Sequence, residues 1–96
     1  MEEFIKTLSS TVQEVVYDAL TLLEDGETLP MPLSRSLANI HKGLHEIRAR
    51  DSSGAYRIIY YIKVGEAVYL LHGFTKKTQK TPQKELRLAL RRLKEL

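Results

Sequence analysis

The spacing of apolar side chains changes along the chain, from steps of three and four residues to alternation and back again. Residues 3–24 carry apolar side chains at three- and four-residue steps, which predicts one amphipathic helix. Asp25-Gly26 predicts its end, because glycine readily takes the left-handed conformation after a last turn. The segment LPMP (29–32) excludes helix interior, and a new apolar spacing then predicts a short second helix over 33–40.

The next third of the chain alternates between apolar and polar residues, which is typical of strands with one buried face. The predicted strands are HKGLHEIRAR (41–50), AYRIIYYIKV (55–64) and AVYLLHGFTK (67–76). DSSG (51–54) is a turn signal between the first two. Two successive hairpins predict an antiparallel three-stranded meander.

Thr81-Pro82 predicts the start of a last helix, with threonine at the N-cap and proline at the first helical position. The order of elements predicts an α+β fold: two N-terminal helices, a three-stranded antiparallel meander sheet and a C-terminal helix. The length of 96 residues suits a single domain over 1–96.

Composition excludes several classes of protein. The chain has no cysteine, so it has neither disulfides nor thiolate zinc sites. Its start carries acids where a signal peptide carries bases, and its apolar runs are too short to cross a membrane. Its glycines are scattered and it holds no metal-binding motif. We therefore expect a soluble, cytoplasmic protein with no membrane association, no metal and no cofactor.

Charge is distributed unevenly along the chain. Residues 1–32 contain seven acids and one base, whereas residues 33–96 contain fourteen bases and five acids. Such an asymmetry favours a polyanion-binding surface on the C-terminal part. The alternative is a pair of solvated faces with opposite charge.

The alternation assigns the basic residues to one face of the predicted sheet. Arg48 and Arg50 share a face of the first strand, and Arg57, Tyr61 and Lys63 share a face of the second. Arginine matches phosphate oxygens with its planar fork, and an aromatic ring can stack on an RNA base. The alternative for each residue is an ordinary solvated position.

Three lysines and a histidine belong to the third predicted strand and the segment that follows it. Lys76, Lys77 and Lys80 lie in a stretch without acids. Alternation predicts that four residues of this strand share a face: Val68, Leu70, His72 and Phe74. His72 is then either a general acid or base, since imidazole titrates near neutral pH, or a histidine satisfied within the core.

The segments GLHEIRARD, GAYRIIY and LLHGFTKKTQKTP, in this order and spacing, resemble the HigB-like, phage-derived branch of the RelE/ParE toxin superfamily. The resemblance covers roughly residues 3–92. It implies the toxin of a type II toxin–antitoxin system. Such toxins are mRNA interferases, ribosome-dependent endoribonucleases that arrest translation without a metal. Their antitoxins are small proteins, often with a helix-turn-helix domain.

The resemblance also implies roles for individual residues. Arg57 would stabilise the transition-state phosphate, Lys77 would lie near the scissile phosphate, and Arg48 would orient or activate the nucleophile. His72 would be a proton-transfer partner. The remaining basic residues named for RNA or ribosome contact are Arg50, Lys76 and Lys80, beside the sheet residues Lys63 and Tyr61.

Relatives commonly begin with a β-strand, whereas this chain opens at its first helix. The missing strand predicts an unpaired sheet edge, which invites pairing with an antitoxin or with a second copy as a homodimer. Two alternatives to an RNA-cleaving toxin stay open. One is a gyrase-inhibiting or catalytically inactive binding module of the same fold, and the other is a dimerising protein that works through its edge strand.

Overall fold

The described residues form a sheet of four antiparallel strands, which lie side by side in chain order, with helices on both faces of the sheet. The computed structural model describes residues 2–31, 33–63, 67–76 and 81–96. The elements are α1 (Glu2–Lys6), α2 (Ser10–Glu24), β1 (Ser34–Ser36), β2 (Leu44–Asp51), β3 (Gly54–Ile62), β4 (Val68–Lys76) and α3 (Gln83–Lys94). The predicted α+β class is confirmed, with one strand more than expected.

The prediction of one helix over 3–24 was wrong, because the chain breaks between α1 and α2. Ser9 has an extended backbone, and its hydroxyl accepts a hydrogen bond from the Val12 amide at 3.3 Å. A serine that satisfies a free amide in this way starts a new helix. The apolar stripe continues across the break, so Ile5 and Val12 still lie in one core.

The predicted helix over 33–40 was also wrong. Ser34–Ser36 form β1, which pairs with β2 through Ser34 opposite Ile47 and Ser36 opposite His45. The Ser34 hydroxyl forms a buried hydrogen bond of 2.7 Å with the Tyr60 hydroxyl of β3. Tertiary pairing therefore decided the conformation of a segment too short to have a helical preference of its own.

The three predicted strands are present as β2, β3 and β4, and their turn at 51–54 is confirmed. The Asp51 carboxylate accepts hydrogen bonds from the Ser53 and Gly54 amides at 2.8 and 3.1 Å, which closes the first hairpin. The register places Arg48 opposite Arg57.

Strand β4 departs from simple alternation. Ile59 pairs with His72 while its neighbour Tyr60 pairs with Leu70, so Leu71 is an extra residue that forms a bulge. The prediction that Val68, Leu70, His72 and Phe74 share a face was therefore wrong. Val68 and Leu70 pack against the α1/α2 core, whereas Phe74 belongs to the core under α3.

Helices cover the two faces of the sheet differently. In one core, α1 and α2 pack against the sheet face that carries Ile47 and Ile58. In the other core, α3 packs against the opposite face, which carries Leu44 and Ile59. Within the described part of the chain, no helix is both long and apolar enough to cross a membrane.

The start of α3 differs by one residue from the prediction. Pro82 occupies the N-cap position and Gln83 is the first helical residue, so threonine is not the cap. The Thr81 hydroxyl instead donates a hydrogen bond of 3.1 Å to the Glu46 carboxylate on β2. This bond ties the start of α3 to the centre of the sheet.

Candidate functional site

The face of the sheet that carries α3 also carries a cluster of positive charge. Arg48 lies opposite Arg57 across β2 and β3, and Ala55 lies between Arg50 and Lys76 in the next row. Arg35 of β1 lies opposite Glu46. We call the following five residues the basic cluster: Arg35, Arg48, Arg50, Arg57 and Lys76. Each is held by a strand, so the sheet fixes their spacing.

Burial divides the basic cluster into a buried floor and a more exposed rim. Arg57 is 7% exposed and Lys76 is 8% exposed, which is low for cationic side chains. Arg48 is partly exposed, and Arg35 and Arg50 are exposed. The cluster is therefore a positively charged site with two cations at its floor, open to solvent at its rim.

Glu46 is the acid that faces this cluster, and it is fully buried at 0% exposure. Its Oε2 accepts the hydrogen bond from Thr81, and its Oε1 lies 3.8 Å from Arg57 Nε. That separation makes an ion pair but no hydrogen bond. Among the described residues, neither Glu46 Oε1 nor Arg57 Nε has a hydrogen-bond partner.

An unpaired donor of this kind is unusual, since buried polar groups nearly always have partners. Arg57 uses one terminal nitrogen to donate to the Tyr56 carbonyl at 3.1 Å. Its Nε remains as a buried donor beside further cations. The floor of the basic cluster thus offers an excess of positive charge to an anionic ligand, while the Nε donor itself lies buried beside Glu46.

The electrostatic environment points the same way. Burial lowers the pKa of Arg57, the positive charges of Arg48 and Arg50 lower it further, and Glu46 opposes them. Burial also lowers the pKa of Lys76, with a further contribution from Arg57. Both groups therefore lie in a place that disfavours their charged forms, and a bound anion would relieve this cost.

The structure brings together only part of the predicted site. Arg48, Arg50, Arg57 and Lys76 meet in the basic cluster, whereas Lys77 and Lys80 lie outside the described residues. Tyr61 lies four residues from Arg57 along β3, or about 13 Å. Lys63 follows the end of that strand, so Tyr61 and Lys63 lie away from the cluster.

His72 lies between β4 and α3. Its Nε2 is 3.3 Å from Glu85 Oε2, and its Nδ1 is 3.3 Å from a terminal nitrogen of Arg92. Because arginine can only donate, Nδ1 accepts, and Nε2 carries the hydrogen that is donated to Glu85. The ring also stacks on Phe74 with 5.6 Å between centroids. Both ring nitrogens are thus engaged with α3.

Sequence reasoning missed three residues of the site. Glu46 was assigned to the face of Arg48, but nothing in the alternation marked it as the buried partner of Arg57. Thr81 was assigned to a helix cap, and Arg35 fell inside a predicted helix. Recognition of β1 would have placed Arg35 correctly, since an arginine between two serines then points to the same face as Glu46.

Metal-binding groups are not assembled in the parts of the chain that the structure covers. No three His, Cys, Asp or Glu side chains among the described residues come close enough to hold an ion.

Comparison with known proteins identifies the family. The model of the family described as phage derived protein Gp49-like (DUF891) matches residues 3–94. None of the curated proteins matches the chain. The Gp49-like family is toxin-like and related to RelE and ParE, so the predicted relationship to that superfamily is confirmed at this level. The match spans nearly the whole chain, and the protein therefore belongs to the phage-derived Gp49-like family.

Proposed function

We propose that this protein is the toxin of a type II toxin–antitoxin pair, in the HigB-like branch, and that it cleaves mRNA on the ribosome at the basic cluster. The proposal rests on the side chains that are buried at the floor of that cluster. Arg57 and Lys76 are buried there, with Arg48 beside them and Glu46 as the opposing charge. An RNA phosphate supplies negative charge that balances the excess of cations.

The proposed reaction is transesterification within the RNA strand. The 2′-oxygen loses its proton and attacks the neighbouring phosphorus, while the bond from phosphorus to the 5′-oxygen breaks and that oxygen takes up a proton. The products are a 2′,3′-cyclic phosphate and a 5′-hydroxyl. Negative charge grows on the non-bridging oxygens during the attack, and a fixed guanidinium stabilises it.

The described residues have separate roles in this scheme. Arg57 contacts the reacting phosphate from the floor of the basic cluster. Arg48, which lies opposite it, orients the nucleophile, and the exposed Arg50 holds the backbone. Lys76 adds charge at the floor. Glu46 keeps the guanidinium in place through the ion pair of 3.8 Å.

A toxin of this type needs an antitoxin, which we propose to be a small helix-turn-helix protein. Strand β4 lies at the edge of the sheet and has nine residues, whereas β1 at the opposite edge has three. The outer edge of β4 therefore offers the longer row of backbone groups for strand addition by an antitoxin or by a second copy.

The test is expression in a bacterial host, with growth and the integrity of mRNA as readouts. Wild-type protein should arrest growth and cut mRNA in translating extracts. Arg57→Lys keeps a cation near Glu46 but loses the planar fork, so cleavage should fall by about 10²–10³-fold. Arg91→Ala removes an exposed arginine from α3 and serves as the matched control, with activity retained.

Thermal melts of each variant separate loss of activity from loss of fold. Intact mRNA and continued growth in cells that hold folded wild-type protein would contradict the proposal. Inhibited DNA supercoiling with intact RNA would instead favour the gyrase-inhibiting alternative.

A further inference from the structure

A groove lies where β2 begins and β3 ends, remote from the basic cluster. Its volume is about 580 Å³, within the range of pockets that hold small ligands. It is lined partly by Tyr61, His41 and His45, which are aromatic, and by Lys42 and Lys63, which are basic. We call it the aromatic groove.

The local backbone fixes the Tyr61 ring in this groove. Gly43 has a φ of 84°, and a Cβ at that position would lie 2.9 Å from both Tyr61 Cε1 and the Ile62 carbonyl oxygen. Only glycine allows the ring to lie so close to the chain. His41 meets the same ring edge-on, with 5.9 Å between centroids. An aromatic surface ordered in advance costs little further entropy when a ligand stacks on it.

The charge of the aromatic groove indicates the chemistry of its ligand. Two lysines are among its lining residues, and none of the described lining residues is acidic. His45 stacks on Tyr60 at 5.2 Å, and burial lowers its pKa, so it presents a neutral ring at neutral pH. Aromatic rings with cations beside them suit a nucleotide, whose base stacks and whose phosphate needs a positive partner.

We propose that the aromatic groove binds an unpaired base of the same RNA strand whose phosphate lies at the basic cluster. This rests on the proposed function. Tyr61 and Arg57 lie on the same face of β3, about 13 Å apart, a span that a few nucleotides cover. The base stacks on Tyr61, and Lys42 contacts the adjacent backbone.

A segment with several exposed residues connects the two sites. Arg35 of the basic cluster belongs to β1, and the chain runs from there through the exposed residues Ser36 and Asn39 to His41 at the groove. This route passes beside α3, which covers the apolar centre of the sheet face between the sites. An RNA strand can therefore follow this segment around α3 from one site to the other.

The test measures binding of a labelled single-stranded RNA, long enough to span both sites, by fluorescence anisotropy. Tyr61→Leu should weaken binding by about 5- to 100-fold, the range for loss of one stacked base. Tyr61→Phe keeps the ring and should change affinity by less than about twofold. Tyr69→Leu is the matched control, since Tyr69 lies opposite Tyr61 on β4 and outside the groove lining.

Inorganic polyphosphate separates stacking from charge, because it has no bases. Tyr61→Leu should leave polyphosphate affinity unchanged, whereas Arg57→Lys should weaken binding of both polymers. RNA binding that depends on Arg57 but not on Tyr61 would overturn the groove proposal alone. Absence of any RNA binding by the wild-type protein would overturn the proposed function as well.

Two further results would also overturn the groove proposal. One is an equal loss of RNA affinity in Tyr61→Leu and Tyr69→Leu, which would indicate a general effect on the sheet. The other is a Tyr61-dependent affinity for a glutamate-rich peptide with unchanged affinity for RNA, which would assign the groove to a protein partner.

Discussion

Removal of the Glu46 charge should destabilise the protein more than removal of Arg57, its partner. Glu46→Gln keeps the size of the side chain and the acceptor for Thr81, so it changes little except charge. It leaves the buried Arg57 and Lys76 without the opposing charge that the described residues supply, and both already have a lowered pKa. Arg57→Met leaves the carboxylate with Lys76 still nearby.

The expected size follows from the separation of the pair. At 3.8 Å and an effective dielectric constant of about 20, two unit charges attract by about 4 kcal/mol. Breaking a buried pair typically costs about 3–5 kcal/mol. We therefore expect losses of about 4 kcal/mol for Glu46→Gln and about 3 kcal/mol for Arg57→Met. The double variant should lose about 4 kcal/mol, which is a coupling energy of about 3 kcal/mol.

Urea denaturation of the four proteins at neutral pH measures these free energies of unfolding. Glu85→Gln is the matched control, because it makes the same exchange of carboxylate for amide and keeps an acceptor for the hydrogen on His72 Nε2. Its loss should stay below about 1 kcal/mol. If the effects of Glu46→Gln and Arg57→Met added to within about 0.5 kcal/mol, the two charges would not be coupled, and the role given to Glu46 would be refuted.

Three further predictions concern residues of the sheet that carries the candidate site. Gly73→Ala should cost about 1–3 kcal/mol in urea denaturation, because its Cβ would overlap the Phe4 ring and displace α1. Tyr60→Phe should cost about 1–3 kcal/mol by the same measurement, since the buried Ser34 hydroxyl loses its partner. Burial lowers the pKa of His45, so the unfolded state binds more protons. In thermal melts, stability should therefore fall as pH drops through 6.5 and level off below the folded pKa, and His45→Gln should flatten this slope.

A second substitution tests each of the first two predictions, and a pH series tests the third. Phe4→Leu should relieve the cost of Gly73→Ala, and Ser34→Ala should recover part of the loss in Tyr60→Phe. An unchanged pH slope in His45→Gln would show that another group titrates there.

Much of the fold followed from local patterns. Alternation over 41–76 predicted the three long strands and the turn at Asp51, and the three- and four-residue steps predicted α3 and one helix where the structure has α1 and α2. These elements are long enough for one periodic face to define them. β1 failed because three residues have no period of their own, and pairing with β2 decided their conformation.

The candidate site was predictable only where the alternation of side chains along a single strand was enough to assign them to a face. Alternation placed Arg48 with Arg50 on one strand, and the pairing register of the structure then put them on the same face as Arg57. Alternation also placed Tyr61 on the same face as Arg57, but it could not show that α3 covers the part of the sheet between them. It also could not show the bulge at Leu71, which moves His72 to the face under α3.

The sequence by itself determined the α+β class, the long strands and the face on which the positive charge lies, since side-chain period and charge are properties of neighbouring residues. Only the tertiary structure decided that Glu46 is buried beside Arg57, that Thr81 bonds to it and that Arg35 joins the cluster. Those contacts join residues distant in the chain, and burial, which sets their energies, exists only once the sheet and α3 have packed.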